Sequence, residues 1–294
     1  MPPLYPKMRE RPLEFRINYG APLAEGLVFA GLGGHGCVGS MVYPDSSLYA
    51  NHGTLTNMDA ATAFIWDDKL RRLVLTFDRT RSQYVISTYR SVGVIHSIVF
   101  WLWQTETAIA AGRSKGAILW SDGSGLMACA SRFQTETNDH YECWFMNIDG
   151  TPNSFVDVRG TGTQPRTWHH YVFVANAGQK ATNYRDGVYY SGTDFRISTS
   201  GTRRESVLWR LGDSQSHDRF MDGFMADILC FSSKLTQDDA KNLADPSNVD
   251  LRVGGVPLIL PPRRRFWPIS VVHEVVYLKR RNLGLRTGSR EVII

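Results

Sequence analysis

The chain has 294 residues, 43% of them hydrophobic and 12% aromatic, with a formal net charge of +5. That length buries one large core, and β-sandwiches of this size commonly form a single domain. No stretch approaches the roughly 20 apolar residues of a membrane helix, so no membrane insertion is expected. No signal peptide is evident either, because Met1-Pro2-Pro3-Leu4-Tyr5-Pro6-Lys7 lacks its apolar run.

Read in order, strand-like runs fall at 26–29, 73–78, 84–86, 97–104, 117–120, 125–133, 141–148, 155–158, 168–174, 183–189, 207–212 and 224–231, and turn residues separate nearly all of them. In the run from Trp168 to Val174, Trp168, His170, Val172 and Val174 share one face, while His169, Tyr171 and Phe173 share the other. Asp186-Gly187 suits the positive φ angles of a two-residue hairpin loop. One short helix is predicted over 236–244, with Thr236 as its N-cap. Asp45 and Asn51 are expected to fix their loop through side-chain bonds to backbone, and Asp222-Gly223 and Asp227 to be structural at strand ends. The pattern predicts an all-β fold, a jelly roll of two packed antiparallel sheets.

Charge gathers at the C-terminus. Residues 257–294 hold eight basic residues against Glu274 and Glu291, more than the net charge of the whole chain. The rest is near neutral, which argues against nucleic acid binding by the sandwich. Three parts follow: a lead over 1–22, the sandwich over 23–250 and a basic arm over 251–294. The arm combines Arg263, Arg264, Arg265, Phe266 and Trp267 with a strand-like run that includes Val275 and Tyr277. Either it returns to its own domain or it docks on another subunit, by strand addition or basic contacts. Of the four cysteines, Cys129 and Cys143 fall on neighbouring strands or stay buried as free thiols.

Thr167-Trp168-His169-His170-Tyr171, followed by Asn183-Tyr184-Arg185-Asp186-Gly187-Val188, resembles the centre of laminin-G-like domains of the concanavalin A superfamily. The resemblance extends upstream to the loop Asp45-Ser46-Ser47 … Asn51-His52-Gly53-Thr54 and to Leu73-Val74-Leu75-Thr76-Phe77-Asp78 with Tyr84-Val85-Ile86, which is similar to the family's paired strands. Arg79 stands where the family usually has glycine, which puts that turn's geometry in question. The resemblance implies the concanavalin A-like jelly-roll sandwich and a binding or adhesion module in place of an enzyme. A second one, carried by Asn18-Tyr19-Gly20-Ala21-Pro22 and Pro262-Arg263-Arg264-Arg265-Phe266-Trp267-Pro268, is to short laminin-G-like structural proteins of tailed bacteriophages. It implies a virion protein, a capsid decoration or tail component, whose partners are further copies of itself, other virion proteins and cell-surface glycans. The alternative is a lectin-like adhesin outside the cell or on a bacterial surface.

Glycoside hydrolysis is the weaker reading, since it needs two carboxylates about 5 to 5.5 Å apart or wider, and no Glu-x-Asp-x-x-Glu run occurs. Glu136, Asp139 and Glu142 read as a polar connection between strands, and no catalytic residue is assigned. For ligand binding the candidates are Tyr141 and Trp144 as an aromatic platform near Asn147, with Asp213, His217 and Asp218 in a later loop. No cofactor is expected. Loop-edge calcium is the one ion the superfamily implies, with Asp122, Asp149 and Asp213 as candidate ligands, though each loop also reads as an ordinary turn.

Overall fold

The structure, a computed structural model, describes residues 17, 19–33, 37, 39–87, 93–105, 117–121, 127–135, 138–146, 152–159, 166–176, 181–190, 201–202, 209–213 and 220–245. For 117–121, 127–135, 138–146 apart from Cys143, 152–159 and 209 it describes the backbone alone. The chain divides after Pro257, and every described residue belongs to the first unit. The arm residues Arg263, Arg264, Arg265, Phe266, Trp267, Val275 and Tyr277 lie outside the described residues.

Two antiparallel sheets form the sandwich. The first runs β14 (Val188–Tyr189), β13 (Thr182–Arg185), β12 (His169–Val174), β7 (Ser97–Gln104), β16 (Gly223–Phe231), β5 (Arg72–Phe77), β4 (Phe64–Asp67), with β1 (Leu27–Gly31) also on β16. The second runs β11 (Pro152–Arg159), β10 (Asn138–Met146), β9 (Met127–Thr135), β8 (Ala117–Ser121), β15 (Trp209–Leu211), β6 (Tyr84–Ser87), β3 (Gly53–Thr56), β2 (Val42–Tyr43). β5 and β6 are therefore not partners, as the family resemblance led us to expect. The chain crosses from one sheet to the other between them. The crossing is a 3-10 turn at Arg79–Arg81, in which the Asp78 carboxylate accepts from the Thr80 N–H and Ser82 adopts a left-handed conformation. The turn thus forms with Arg79 in place, through a side-chain cap and a left-handed Ser82.

The alternation read from β12 holds. Tyr171 and Phe173 enter the core between the sheets with Phe100, Ile98 and Leu75, while Val172 and Val174 pack on the other face with Val99, Leu229 and Phe231. The first sheet is thus buried on both sides, which is why its central strands read as continuous apolar runs. Over that outer face lie Ile17, Ala24 and α1 (Gln237–Ala244), which contributes Ala240. The lead therefore docks on the sandwich from at least Ile17. Thr236 caps α1 as expected, its hydroxyl accepting from the Asp239 N–H while the Asp239 carboxylate accepts from the Thr236 N–H.

The hairpin turn also forms as read, with Asp186 at φ 53° and Gly187 at φ 77°. Gly187 is required twice over, since a Cβ there would stand 2.9 Å from the Lys241 Cα on α1. Asp227 is structural but lies inside β16 and not at a strand end. At φ 47° it forms the bulge between Ala226 and Leu229, and it makes a buried ion pair with Arg72. Asp45 binds its loop more firmly than the sequence indicated. Its carboxylate accepts from the N–H groups of Ala30, Ser47 and Asn51 and from the Ser47 hydroxyl.

A candidate binding face on the second sheet

Directly opposed residues in a sheet share a face, so the registers sort the second sheet into rows. Leu55, Val85, Leu211, Leu119, Cys129, Cys143 and Val156 stand opposite one another in succession. Leu55, Val85, Leu211 and Cys143 are buried in the core, which fixes this row as the inner one. Cys129 and Cys143 are thus direct cross-strand neighbours, and Cys143 is a buried free thiol.

The adjacent row lies on the outer face and crosses all eight strands: Val42, Thr54, Ile86, Arg210, Trp120, Ala128, Trp144, Phe155. Trp120 and Trp144 flank Ala128, and Phe155 follows Trp144. Two residues along the strands, Glu142 stands opposite both Ala130 and Asp157, and a further two along, His140 stands opposite both Arg132 and Arg159. An aromatic row therefore runs beside an acidic row and a basic one. Asp139 and Glu142 lie within β10 and not in a connection.

At the other end of this face the side chains are described. The Arg210 guanidinium lies over the Tyr84 ring, 5.7 Å from its centroid, and its Nη1 reaches the Asp213 carboxylate at 3.5 Å. Asp213 is fully buried. A buried carboxylate needs a partner to offset its lost hydration, and Arg210 supplies one. Asp213, a candidate ligand in the sequence, thus lies buried beside Arg210. Among the described residues no cluster of three or more His, Cys, Asp or Glu is arranged to hold a metal ion.

In the register Trp144 falls in the row of Ala128 and Phe155, and Tyr141, three residues earlier, falls in the alternate set of positions that includes Cys143. Asn147, His217, Asp218, Asp122 and Asp149 lie outside the described residues. A search for paired carboxylates along one strand passes over Glu142 with Asp157, because that pair forms across two.

The two adjacent histidines face opposite ways. His169 Nδ1 lies 2.7 Å from Asp186 Oδ2, and the other Asp186 oxygen accepts from the His170 N–H. Burial opposes the charge on Asp186, but these bonds outweigh it and hold the carboxyl below its ordinary range. His170 is buried against Trp101, and burial pushes its pKa down to about 3. Neither imidazole reaches the outer face of the second sheet.

This architecture agrees with the comparisons with known proteins. The chain belongs to the concanavalin A-like lectin/glucanases superfamily, whose laminin-G model matches residues 80–241. Domain 4 of AbnA, a GH43 extracellular arabinanase from Geobacillus stearothermophilus, solved in complex with arabinotriose, is similar at TM-score 0.51 and 14% identity, over 79% of this chain and 100% of that one. The receptor binding domain of botulinum neurotoxin mosaic serotype C/D is similar at TM-score 0.53 and 12% identity, over 74% of this chain and 50% of that one. The binding domain of Paraclostridial Mosquitocidal Protein 1 follows at 0.51 and 13%, over 76% and 52%. The chain spans about half the length of either toxin domain, and at these identities the likeness is one of fold. No curated protein matches the chain. Among the described residues no helix is long and apolar enough to cross a membrane.

Proposed function

We propose that this chain is a non-catalytic surface module that binds glycans on the outer face of its second sheet. The observation that carries the reading is the row Trp120, Ala128, Trp144, Phe155 beside Glu142 and Asp157. Sugars are recognised by aromatic rings that stack on their apolar faces and by polar groups that bond their hydroxyls, and the register supplies both side by side. The arabinotriose complex of a domain with this fold supports the same substrate class. The basic segment 251–294 joins the module to a larger assembly of its own copies or of virion proteins, and the resemblance to phage structural proteins favours a particle as the setting. Calcium is a supporting ligand only if glycan binding depends on it.

The test is a glycan array probed with and without calcium, using the wild-type chain and the variants Trp144→Ala and Trp120→Ala. Binding that both variants lose, with the β-sheet circular dichroism unchanged, supports the reading. An array without signal under either condition removes it.

One observation favours hydrolysis as a second reading: Glu142 and Asp157 stand directly opposite each other on the face that carries the aromatic row. Release of reducing ends from a bound glycan, abolished in Glu142→Gln, would move the protein into that class. The role of the arm is checked by light scattering of the full chain beside one ending at Val256. A multimer that falls to folded monomer assigns assembly to the arm.

A further inference from the structure

Two of the four cysteines in this chain of 294 residues stand directly opposite each other, Cys129 on β9 and Cys143 on β10. Cys143 is a thiol with 0% exposure, in the core between the sheets. Cys230, by contrast, stands opposite Phe29 on β1 and Ile98 on β7.

Opposition alone does not bring two cysteines within bonding reach, because antiparallel pairs come in two spacings. The Cα atoms of a hydrogen-bonded pair stand about 5.5 Å apart, and those of a non-bonded pair about 4.5 Å with the side chains closer. A disulfide needs Cβ atoms within about 3.5 to 4.5 Å, which favours the non-bonded kind.

The ladder of the second sheet fixes which kind this pair is. The Leu55 N–H donates to the Met41 carbonyl at 2.8 Å, so Leu55 turns its main-chain groups toward β2 and stands opposite Val85 as a non-bonded pair. The N–H and C=O of one residue point to the same side, so bonded and non-bonded pairs alternate from strand to strand along a row. Counted across from Leu55, Val85 with Leu211 is bonded, Leu211 with Leu119 non-bonded, Leu119 with Cys129 bonded and Cys129 with Cys143 non-bonded. The irregularity between β8 and β9 falls before Leu119 and leaves this row intact.

We propose that Cys129 and Cys143 are a modification site, joined as an intrachain disulfide when the chain meets an oxidising medium. The oxidant is a low-molecular-weight disulfide such as oxidised glutathione. One cysteine thiolate attacks a sulfur of the oxidant and expels the first glutathione thiolate. The second cysteine thiolate then attacks the protein sulfur of the mixed disulfide and expels the other. One protein disulfide forms, one glutathione disulfide is reduced to two thiols, and the two protons that leave the cysteines end on them. Burial of Cys143 means that the reagent enters while the hairpin is open, either during folding or through local opening of β10, which is second from the edge of its sheet.

The link ties β9 to β10 beside the positions that carry Ala128 and Trp144. A slip of one residue between these strands would exchange the two rows, and a covalent tie at this rung forbids it. The link stands whether or not that face binds glycans.

The full chain is incubated with oxidised glutathione in urea just below its unfolding transition, then alkylated under denaturing conditions. Trypsin cuts after Arg132, between the two cysteines, so the bridge appears by mass spectrometry as two joined peptides that reduction separates. The expected result is that joined pair, with Cys37 and Cys230 alkylated. The unfolding equilibrium constant of the oxidised chain is expected to fall about 100-fold, as for a closed loop of about 15 residues. Cys129→Ala is expected to form no bridge and to unfold at the same urea concentration with and without glutathione. Four alkylated thiols after oxidation overturn the inference. So does a glutathione adduct that persists on either cysteine, or a bridge that takes in Cys37 or Cys230 or joins two chains.

Discussion

Trp101 and His170 stand directly opposite each other on β7 and β12, with ring centroids 5.0 Å apart, in the buried outer layer of the first sheet. Packing against tryptophan leaves the imidazole no water to stabilise a proton. Asp186 favours the charged form and the nearby Arg72 guanidinium disfavours it by less, and burial outweighs both.

This makes His170 an acid-labile element. Its pKa falls from 6.5 to about 3 on folding, so between those values the unfolded chain binds a proton that the folded chain refuses. Stability therefore rises with pH across this window, by up to about 1.4 kcal/mol per pH unit, and levels off above it. Asp186, held low in the fold, adds its own loss only at lower pH, as its carboxylate is protonated. Urea unfolding midpoints for wild type and His170→Phe between pH 4 and 7 check this. The wild-type slope is expected to flatten in the variant, and an unchanged slope would assign the acid sensitivity to other groups.

The Arg72–Asp227 pair spans β5 and β16 with both side chains buried. Removing one partner leaves the other charge uncompensated, so Asp227→Asn is expected to cost about 3 to 5 kcal/mol. Asparagine accepts the left-handed backbone that Asp227 adopts, so the cost reports the charge and not the bulge. Adding Arg72→Met to that variant is expected to recover part of the loss. Chemical denaturation of the single and double variants measures both.

Asp45 holds three backbone N–H groups and a hydroxyl between β1 and the following loop. Asp45→Ala strands buried donors, at about 2 to 4 kcal/mol in total. Faster amide exchange at Ala30, Ser47 and Asn51 would be the local signature. A variant with normal exchange at these three sites would contradict the assignment.

Gly187→Ala confronts both a positive φ and the α1 backbone. We expect a loss of about 1 to 3 kcal/mol, with exchange protection falling first along α1 because the helix is displaced from the hairpin. Uniform loss across the sandwich would mean that α1 and the hairpin do not form a separable unit.

The elements most legible in the sequence were those in which local chemistry and burial agree. Trp168 to Val174 alternates because its two faces enter two different cores, and the Thr236 cap and the Asp186-Gly187 turn are set by their own residues. β4 escaped notice. Phe64-Ile65-Trp66-Asp67 is too short for a periodicity to emerge, and nothing local marks it as an edge. The pairing of Glu142 with Asp157 and the row that joins Trp120 to Trp144 depend on registers between strands, which no single stretch encodes. Tyr141 and Trp144 could have been separated by counting alone, since three steps along a strand reverse the face. Asp213 could not, because its burial depends on how β15 enters the sandwich.

Because the first sheet is covered on both faces while the second has one face outside the core, the two sheets differ in how much sequence change they tolerate. A substitution on β7, β12 or β16 disturbs one core or the other whichever way its side chain points. On β9, β10 and β11 alternate positions fall in the outer row of the register. Under the function proposed above, variation that alters recognition is confined to one side of the molecule, and a lineage of such chains can exchange specificities there without rebuilding the fold.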